Sequence, residues 1–179
     1  MLKKILLALA ALIAVILVVG ALQSADYRVE RNITVSAAPE IVFAQVNDLH
    51  LWQEFSPWAR LDPAAKTTFS DPASGMGAHF AWAGNAKIGA GSMIITDSKP
   101  GRLVHFRLEF LRPFKDSAET EFVFKPVDRQ TEVTWSMTGK KNFVSKVMCL
   151  FVSMDRMIGG DFERGLAGLK TLAETAAKK

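Results

Sequence analysis

Cysteine is nearly absent from the sequence: Cys149 is the single one among 179 residues. One cysteine cannot form an intramolecular disulfide, which excludes the class of small secreted scaffolds held together by disulfides. A lone cysteine in an apolar stretch is most often a small buried hydrophobic side chain. The cysteine content therefore indicates no particular redox compartment.

A large excess of charge is also missing, because the formal net charge is only +4. Lys3 and Lys4 precede the first apolar segment, so the remainder of the chain carries +2. Nucleic-acid-binding proteins usually concentrate Lys and Arg on one element, and this sequence has no such cluster. We therefore expect no nucleic-acid partner.

Signatures of catalytic and metal sites are missing as well. His50, His79 and His105 do not have the spacing of metal ligands, and Cys149 has no evident base as a partner. The sequence contains no nucleophile elbow, phosphate-binding loop or dinucleotide fingerprint. We predict no metal, no cofactor and no catalytic residue; whether the protein is an enzyme stays open, with binding favoured over catalysis.

The most prominent feature that is present is a run of 18 uncharged residues from Ile5 to Leu22. A membrane-spanning helix needs about 17–25 apolar residues, whereas the core of a signal peptide has about 7–15. The length favours a retained anchor over a cleaved signal, for which Val19-Gly20-Ala21 is a weak cleavage site. The lack of a polar face argues against a buried helix of a soluble protein. Residues 1–25 are predicted to be a transmembrane anchor, with 5–22 in the membrane.

The orientation of this anchor is predicted from the basic residues on its two sides. Lys3, Lys4 and the N-terminal amine precede it, and Arg28 and Arg31 follow it. The positive-inside rule weighs both sides. It predicts a single-pass protein with a cytoplasmic N-terminus and the domain outside, in the periplasm or the extracellular space.

After the anchor, the periodicity of apolar residues predicts a mixed α and β domain. Tyr27–Val35 alternates as a strand does, and two short helices follow, one from about Pro39 to Asn47-Asp48 and one over Leu49–Phe55. The period then changes to two, and turn residues separate the segments. These segments predict six antiparallel strands: Lys66–Phe69, Ala78–Trp82, Ala90–Thr96, Leu103–Leu111, Ala118–Lys125 and Thr131–Thr138.

From Phe143 onwards the apolar residues recur every three or four positions, which predicts one long C-terminal helix. Gly159-Gly160 interrupts this run, and Asp161 is a candidate cap for a second helical half. A sheet with helices packed on one face is an α+β architecture. No interior linker or repeat is visible, so residues 26–179 are predicted to form one domain.

Each predicted strand has one apolar face, which is rich in large aromatic residues. Such a face either forms a solid core or lines a ligand cavity, since ligand cavities are mostly apolar, and the sequence leaves both open. The candidate cavity-lining residues are Trp58, Phe80, Trp82, Phe106, Leu108, Phe110, Phe122, Phe124, Trp135, Met148, Phe151, Met154 and Ile158.

General acid–base catalysis would require an ionisable residue on this face, and few are found there. Arg31 is the exception on the first strand, and Asp155, Arg156 and Glu163 lie on the long helix. A solvated helix flank or an ion pair is the favoured interpretation of the helical residues, because charged residues are mostly exposed.

The first half of the long helix, residues 143–158, is apolar over more than one face. Val144, Met148 and Val152 lie beside the main stripe, and methionine is common at permissive binding surfaces. Three explanations stay open, in this order: burial on two sides, a ligand-lining wall, and contact with the bilayer.

Several stretches together resemble the SRPBCC superfamily, which includes START-type lipid-transfer domains, pollen allergens and polyketide cyclase/dehydrase-like proteins. The similarity covers about residues 27–175. The stretch Ile158–Leu166 resembles the closing helix of membrane-anchored bacterial members of the superfamily. The stretches are Tyr27–Val35 with Ala38–Phe43, Trp52 with Phe55–Trp58, Gly75–Gly77 with Gly89–Thr96, Thr131–Met137, and Ile158–Leu166.

This resemblance implies a helix-grip, START-like fold, in which an antiparallel sheet wraps a long C-terminal helix with a hydrophobic cavity between them. It transfers no catalytic residue to a position here. The favoured function is a membrane-tethered module that binds a hydrophobic small molecule or lipid. The alternatives are a cyclase/dehydrase-like enzyme acting on an apolar substrate, and a structural or protein-interaction domain with a filled core. Protein partners stay unknown.

Overall fold

The computed structural model describes residues 1–178 and contains five helices and seven strands within that range. The helices are α1 (Leu2–Leu22), α2 (Pro39–Asn47), α3 (Leu49–Phe55), α4 (Phe143–Met148) and α5 (Met154–Ala176). The strands are β1 (Asp26–Val35), β2 (Lys66–Phe69), β3 (His79–Ala83), β4 (Ala90–Lys99), β5 (Leu103–Arg112), β6 (Asp116–Val127) and β7 (Gln130–Lys140).

The strands form one antiparallel sheet in the order β1-β7-β6-β5-β4-β3-β2. Strands β2 to β7 follow each other as a meander because short turns join them. Strand β1 pairs with β7, so that Asp26 lies opposite Lys140 and Val35 opposite Thr131. The predicted seven strands and two short helices are confirmed, and α3 and β2 have the predicted bounds.

The apolar face of the sheet packs against α2, α3 and the second half of α5. On β5, Val104 and Phe106 are fully buried, whereas Arg107 and Glu109 on the opposite face are exposed. This alternation is the pattern that places one face of an antiparallel sheet on a core. A sheet wrapped on a C-terminal helix confirms the predicted α+β helix-grip fold class.

The C-terminal helical region differs from the prediction of one helix interrupted at Gly159-Gly160. The break lies earlier, between Met148 and Met154, and both glycines are inside α5. The side chain of Ser153 caps α5 by accepting a hydrogen bond from the Arg156 amide at 3.3 Å. Asp161 is therefore not a cap but a residue of the helix interior. Local capping at Ser153 determines the start of α5 more strongly than the glycine pair interrupts it.

Helix α5 runs alongside β1 and in the same direction. Near its start, Asp155 contacts Arg31 in the middle of the strand. Further on, the Lys170 Nζ donates to the Thr34 carbonyl at 2.8 Å, and Glu174 accepts from the Ser36 amide at 2.8 Å. The start of the helix therefore lies towards the end of the sheet at which β1 begins, and its C-terminal part lies beside the end of β1.

Helix α1 is long and apolar enough to cross a membrane, and it is almost entirely exposed. A signal sequence near the N-terminus can meet the same criteria of length and hydropathy, so the structure leaves both interpretations open. Among its residues only Gly20, in the last turn, is buried. The helix thus projects from the domain and contacts it at one end.

Candidate functional site

Six of the thirteen candidate lining residues are buried in a closely packed aromatic interior. The rings of Trp135 and Phe162 stack with centroids 4.1 Å apart, and Phe122 stacks on the other side of Trp135 at 4.7 Å. Trp52 of α3 meets Phe106 at 5.3 Å. We call this set the buried cluster; its candidate lining residues are Phe80, Phe106, Leu108, Phe122, Phe124 and Trp135.

Polar atoms within the buried cluster have hydrogen-bond partners. The Trp135 Nε1 donates to the Thr120 hydroxyl at 2.9 Å, and that hydroxyl donates to the Ser136 carbonyl at 2.8 Å. Buried polar groups left without partners would destabilise the fold. The indole is thus fixed in orientation, and this part of the interior is a packed core.

Five other candidate residues are only half-buried and pack against the outside of the buried cluster. We call them the half-buried rim. They pack against the core without being enclosed by it. Their side chains come from α5, from strands β3 and β5, and from the segment after α3. They are Trp58, Trp82, Phe110, Met154 and Ile158.

The sheet side of the rim depends on Gly91. Trp82 and Phe110 lie on the strands that flank Gly91 in the register, and their rings meet edge to face at 6.2 Å. A Cβ atom at position 91 would lie 2.6 Å from the Trp82 ring, closer than real side chains approach. The absence of a side chain therefore lets the indole lie across β4. The Trp82 Nε1 donates to the Ile88 carbonyl at 3.1 Å.

Four of the five rim residues lie towards one end of the sheet, the end at which β1 begins. The fifth, Trp58, meets Trp135 and Phe162 at 5.9 and 6.4 Å. Trp82 is one residue from the end of β3, and Phe110 pairs with Asp116, the first residue of β6. Met154 and Ile158 belong to the first two turns of α5. Half-buried apolar side chains from both the sheet and the helix are thus present at this end.

Met148 and Phe151 lie apart from the cluster and the rim. They are 52% and 69% exposed, because the chain leaves the helix after Met148 and the connection turns their side chains to solvent. A continuous helix would have carried both residues along the sheet, as the sequence periodicity predicted. The structure corrects this placement.

The ionisable residues singled out by the sequence form an ion-pair cluster at the edge of the sheet. The Arg31 guanidinium donates to Asp155 at 2.7 Å and to Glu163 at 2.8 Å. These hydrogen bonds raise the pKa of Arg31 and lower the pKa of Asp155. Both carboxylates are more than half exposed. The cluster therefore links β1 to α5 at the surface, as the ion-pair interpretation expected for the helical residues.

Gly159 has a role that the sequence pattern did not reveal. A Cβ atom at this position would collide with the guanidinium of Arg31. Farther along α5, a Cβ atom at Gly165 would lie 2.6 Å from the Trp135 ring. These glycines let the helix approach β1 and β7 closely; they do not end it. The sequence holds no signal for this role, because residues six positions apart lie on different faces of a helix.

Within residues 1–178, no group of three or more His, Cys, Asp or Glu residues is placed to hold a metal ion. The His50 ring lies 4.1 Å from the Phe69 ring, and His105 Nδ1 is 2.7 Å from the Thr96 hydroxyl. Cys149 is half-buried at the end of α4. These residues therefore have structural contacts of their own.

Two clefts that the sequence did not predict lie at opposite ends of the sheet. One, of about 660 Å³, is bounded by the start of β1 and the end of β7, and the other, of about 1080 Å³, by the β4–β5 turn and the start of α2. The first contains Tyr27, the single tyrosine of the chain. Burial, together with the nearby Asp116 charge, raises the pKa of Tyr27 to about 12. None of the thirteen candidate residues lines the first cleft, and only Phe124 among them lines the second.

The curved antiparallel sheet, the gripped helix and the aromatic interior define a helix-grip protein of the SRPBCC superfamily. Within it, residues 26–174 match the family described as polyketide cyclase / dehydrase and lipid transport, and the chain belongs to that family. The resemblance to the SRPBCC superfamily drawn from the sequence is thereby confirmed. No curated protein matches the chain.

Solved structures share this fold at low sequence identity. Protein MLL2253 from Mesorhizobium loti is 13% identical with a TM-score of 0.61, over 83% of this chain and 98% of that one. The Zhui aromatase/cyclase from Streptomyces sp. R1128 is 15% identical with a TM-score of 0.56, over 83% and 94%. Ara h 8.0201 is 13% identical with a TM-score of 0.54, over 85% and 97%. Identities this low show the shared fold alone.

Proposed function

We propose that the protein is a membrane-tethered module that binds a hydrophobic small molecule or lipid at the half-buried rim. Residues 1–25 are the tether and residues 26–179 the binding domain. The N-terminus lies in the cytoplasm and the domain on the outer side of the membrane, following the positive-inside rule. This proposal assigns no catalytic residue.

The observation that carries the proposal is the half-buried rim. Its five members are large and apolar, yet they stay partly open to solvent on both the sheet side and the helix side. Ligand sites are concave and mainly apolar, with few polar groups. An apolar ligand seated on the rim is stabilised by about 25 cal/mol for each Å² of apolar surface removed from water. The description of the family, which includes lipid transport, agrees with this class of ligand.

A cyclase/dehydrase-like enzyme would need an ionisable group at the rim. The candidates on the inner face were Arg31, Asp155 and Glu163, and they pair with one another at the edge of β1. None of the five rim residues is ionisable. The ion-pair cluster thus supports binding over catalysis.

A structural domain with a filled core is the second candidate function. It is favoured by the buried cluster, where Trp135 lies between Phe122 and Phe162 in a continuous stack. If similar packing extended to the rim in solution, no ligand would enter. The two candidates therefore differ in whether the rim accepts a molecule.

Native mass spectrometry of the full-length protein, released from mild detergent, distinguishes these candidates. We expect a stoichiometric adduct in the mass range of lipids or isoprenoids. The variant Ile158→Trp enlarges a rim side chain and should reduce the adduct at least tenfold by occupying its site. Met76→Trp adds the same bulk at a position that is 75% exposed and outside the rim, and should retain the adduct.

Loss of the adduct from both variants, or from neither, would contradict binding at the rim. A wild-type protein without an adduct that also fails to enhance the fluorescence of cis-parinaric acid would favour the filled-core candidate. Circular dichroism of each variant verifies that the fold is retained.

A further inference from the structure

The last turn of α1 is packed against α4. Gly20 is buried, and a Cβ atom there would lie 2.7 Å from the Val147 Cγ2. The Lys146 Nζ lies 3.4 Å from the Ala21 carbonyl, and the Lys141 amide donates to the Ala25 carbonyl at 2.7 Å. Helix α4 is therefore held at a fixed height along α1.

The point at which α4 contacts α1, Gly20, lies inside the apolar run of α1. Gly20 precedes Leu22, the last residue of the run, by two positions, which is about 3 Å along a helix. The run from Ile5 to Leu22 is about 27 Å long, close to the thickness of a hydrocarbon core of about 30 Å. If α1 spans a bilayer, Val147 lies at the boundary between hydrocarbon and headgroups.

Exposed apolar side chains are concentrated around this contact. After α1, the described chain has twelve large hydrophobic residues that are exposed, and seven of them lie in α4, in the connection to α5, or beside the β5–β6 turn. We call this surface the anchor-proximal surface. Its apolar residues are Leu111, Phe114, Phe143, Val144, Met148, Phe151 and Val152.

The sheet register brings the β5–β6 turn to the same end as α4. Strand β7 ends at Lys140, next to α4, and its Gly139 pairs with Ala118 near the start of β6. Phe110 near the end of β5 pairs with Asp116, so the intervening turn with the exposed Phe114 lies at this end. The rim residues Trp82 and Phe110 are at this end as well.

Basic residues border the anchor-proximal surface. Lys140 and Lys141 precede α4 and Lys146 lies in its last turn. Arg112 and Lys115 flank Phe114. Basic side chains next to exposed apolar ones are typical of surfaces that lie in the membrane interface, because anionic lipids attract the basic groups. The turns at the opposite end of the sheet, 99–102 and 128–129, carry charged residues without large apolar ones.

We propose that the anchor-proximal surface is inserted into the interface of the bilayer, so that the half-buried rim opens towards lipid. This inference rests on the proposed tether, since it takes α1 to be a retained membrane span. The occupant of the surface is the lipid bilayer that α1 crosses, and a hydrophobic ligand reaches the rim without crossing water.

Depth-dependent quenching of a site-specific fluorophore tests the insertion. Cys149→Ser removes the single cysteine, and full-length variants then carry one NBD label at Phe151→Cys, Phe114→Cys, Ile13→Cys or Arg129→Cys. Each is reconstituted in vesicles of phosphatidylcholine and phosphatidylglycerol, 3:1, with or without lipid bearing a nitroxide at acyl position 5. Position 13 is the reference inside α1, and position 129 is the control at the opposite end of the sheet.

We expect blue-shifted emission and at least twofold quenching at positions 151, 114 and 13, and neither at position 129. Quenching at 13 but not at 151 and 114 would overturn the insertion while leaving the tether intact. A blue shift at 151 without quenching by lipid would show that protein, such as a second copy of the chain, covers the surface, and would also overturn it. Absence of quenching at all positions would remove the tether, and the insertion with it.

Discussion

The buried cluster and the half-buried rim are built from the same kinds of residue but differ in how completely they are shielded from solvent. In the buried cluster, Trp135 is 1% exposed and is in contact with aromatic rings on both faces. At the half-buried rim, Trp82 is also an indole on an inner strand face, yet it stays partly open. The second half of α5 covers the first region, whereas only the first two turns of α5 approach the second.

The difference shows that the aromatic face of a sheet becomes buried core only where another element, here the second half of α5, packs over it. Phe162, Leu166 and Leu169 of α5 are fully buried over the cluster. The rim faces the start of α5, where the chain has turned away at 149–153. The same sheet therefore supplies stability in one part and an accessible apolar surface in the other.

The largest expected effect comes from truncating the equivalent indoles in the two regions. Trp135→Ala leaves a cavity in a packed core and should lower the free energy of unfolding by about 3–5 kcal/mol. Trp82→Ala should cost only about 1–2 kcal/mol, because the indole is already partly solvated. Chemical denaturation of the full-length protein in detergent, followed by far-ultraviolet circular dichroism, measures both. Equal losses would mean that the rim is as closed as the cluster.

A smaller effect with opposite signs is expected at two glycines of α5. Gly165→Ala places a Cβ atom against the Trp135 ring and should destabilise the protein by about 1–3 kcal/mol. Gly160→Ala meets only the end of the Arg164 side chain at 3.6 Å and should stabilise the helix by about 0.5–1 kcal/mol. Thermal melting of both variants measures the contrast. If Gly165→Ala were also stabilising, the close approach of α5 to β7 would be wrong.

The smallest effect concerns acid stability at the edge between β1 and α5. The Arg31 hydrogen bond lowers the pKa of Asp155 in the folded state below its unfolded value of about 3.9. This pair therefore contributes stability above pH 4 that is lost as the pH falls through the lowered pKa. Arg31→Met should flatten this acid limb in a series of melting curves from pH 6 to 2.

Arg28→Met is the matched control for that series. Arg28 pairs with Glu30 on the same strand, and both side chains are largely exposed. Exposed ion pairs add little to stability. The acid limb of this variant should follow that of the wild type, and a limb that flattens equally in both variants would remove the special role of Arg31.

The sequence was sufficient to predict the seven strands, the short helices and the aromatic inner face. This succeeds because β5 alternates strictly between apolar and polar residues from Val104 to Phe110, and a period of two is typical of half-buried strands. A solvated flank or an ion pair was expected for the charged residues of the helix, but the pairing of Asp155 and Glu163 with Arg31 was not predicted. Periodicity alone does not show which helix residues lie beside β1.

The sequence did not predict in the same way which parts of the aromatic face are covered by the C-terminal helices. The periodicity of residues 143–173 is helical throughout, and it does not show that Ser153 begins a new helix. Glycine in a helix is destabilising on propensity alone, so Gly159 read as a break although its lack of a side chain makes room for Arg31. Which aromatic residues are covered depends on contacts between distant segments, such as the 4.1 Å stack of Trp135 on Phe162.

The pairing of β1 with β7 has a consequence for synthesis of the protein on the ribosome. The 94 residues between Val35 and Gln130 must be made before β1 can find its partner. At a translation rate of about 5–20 residues per second, the first strand waits roughly 5–20 s with its backbone unpaired. A nascent chain that ends before β7 contains only β2 to β6 of the meander, and both β1 and the edge of β6 lack their partner. Unpaired strand edges and exposed apolar surface make such a chain prone to aggregation.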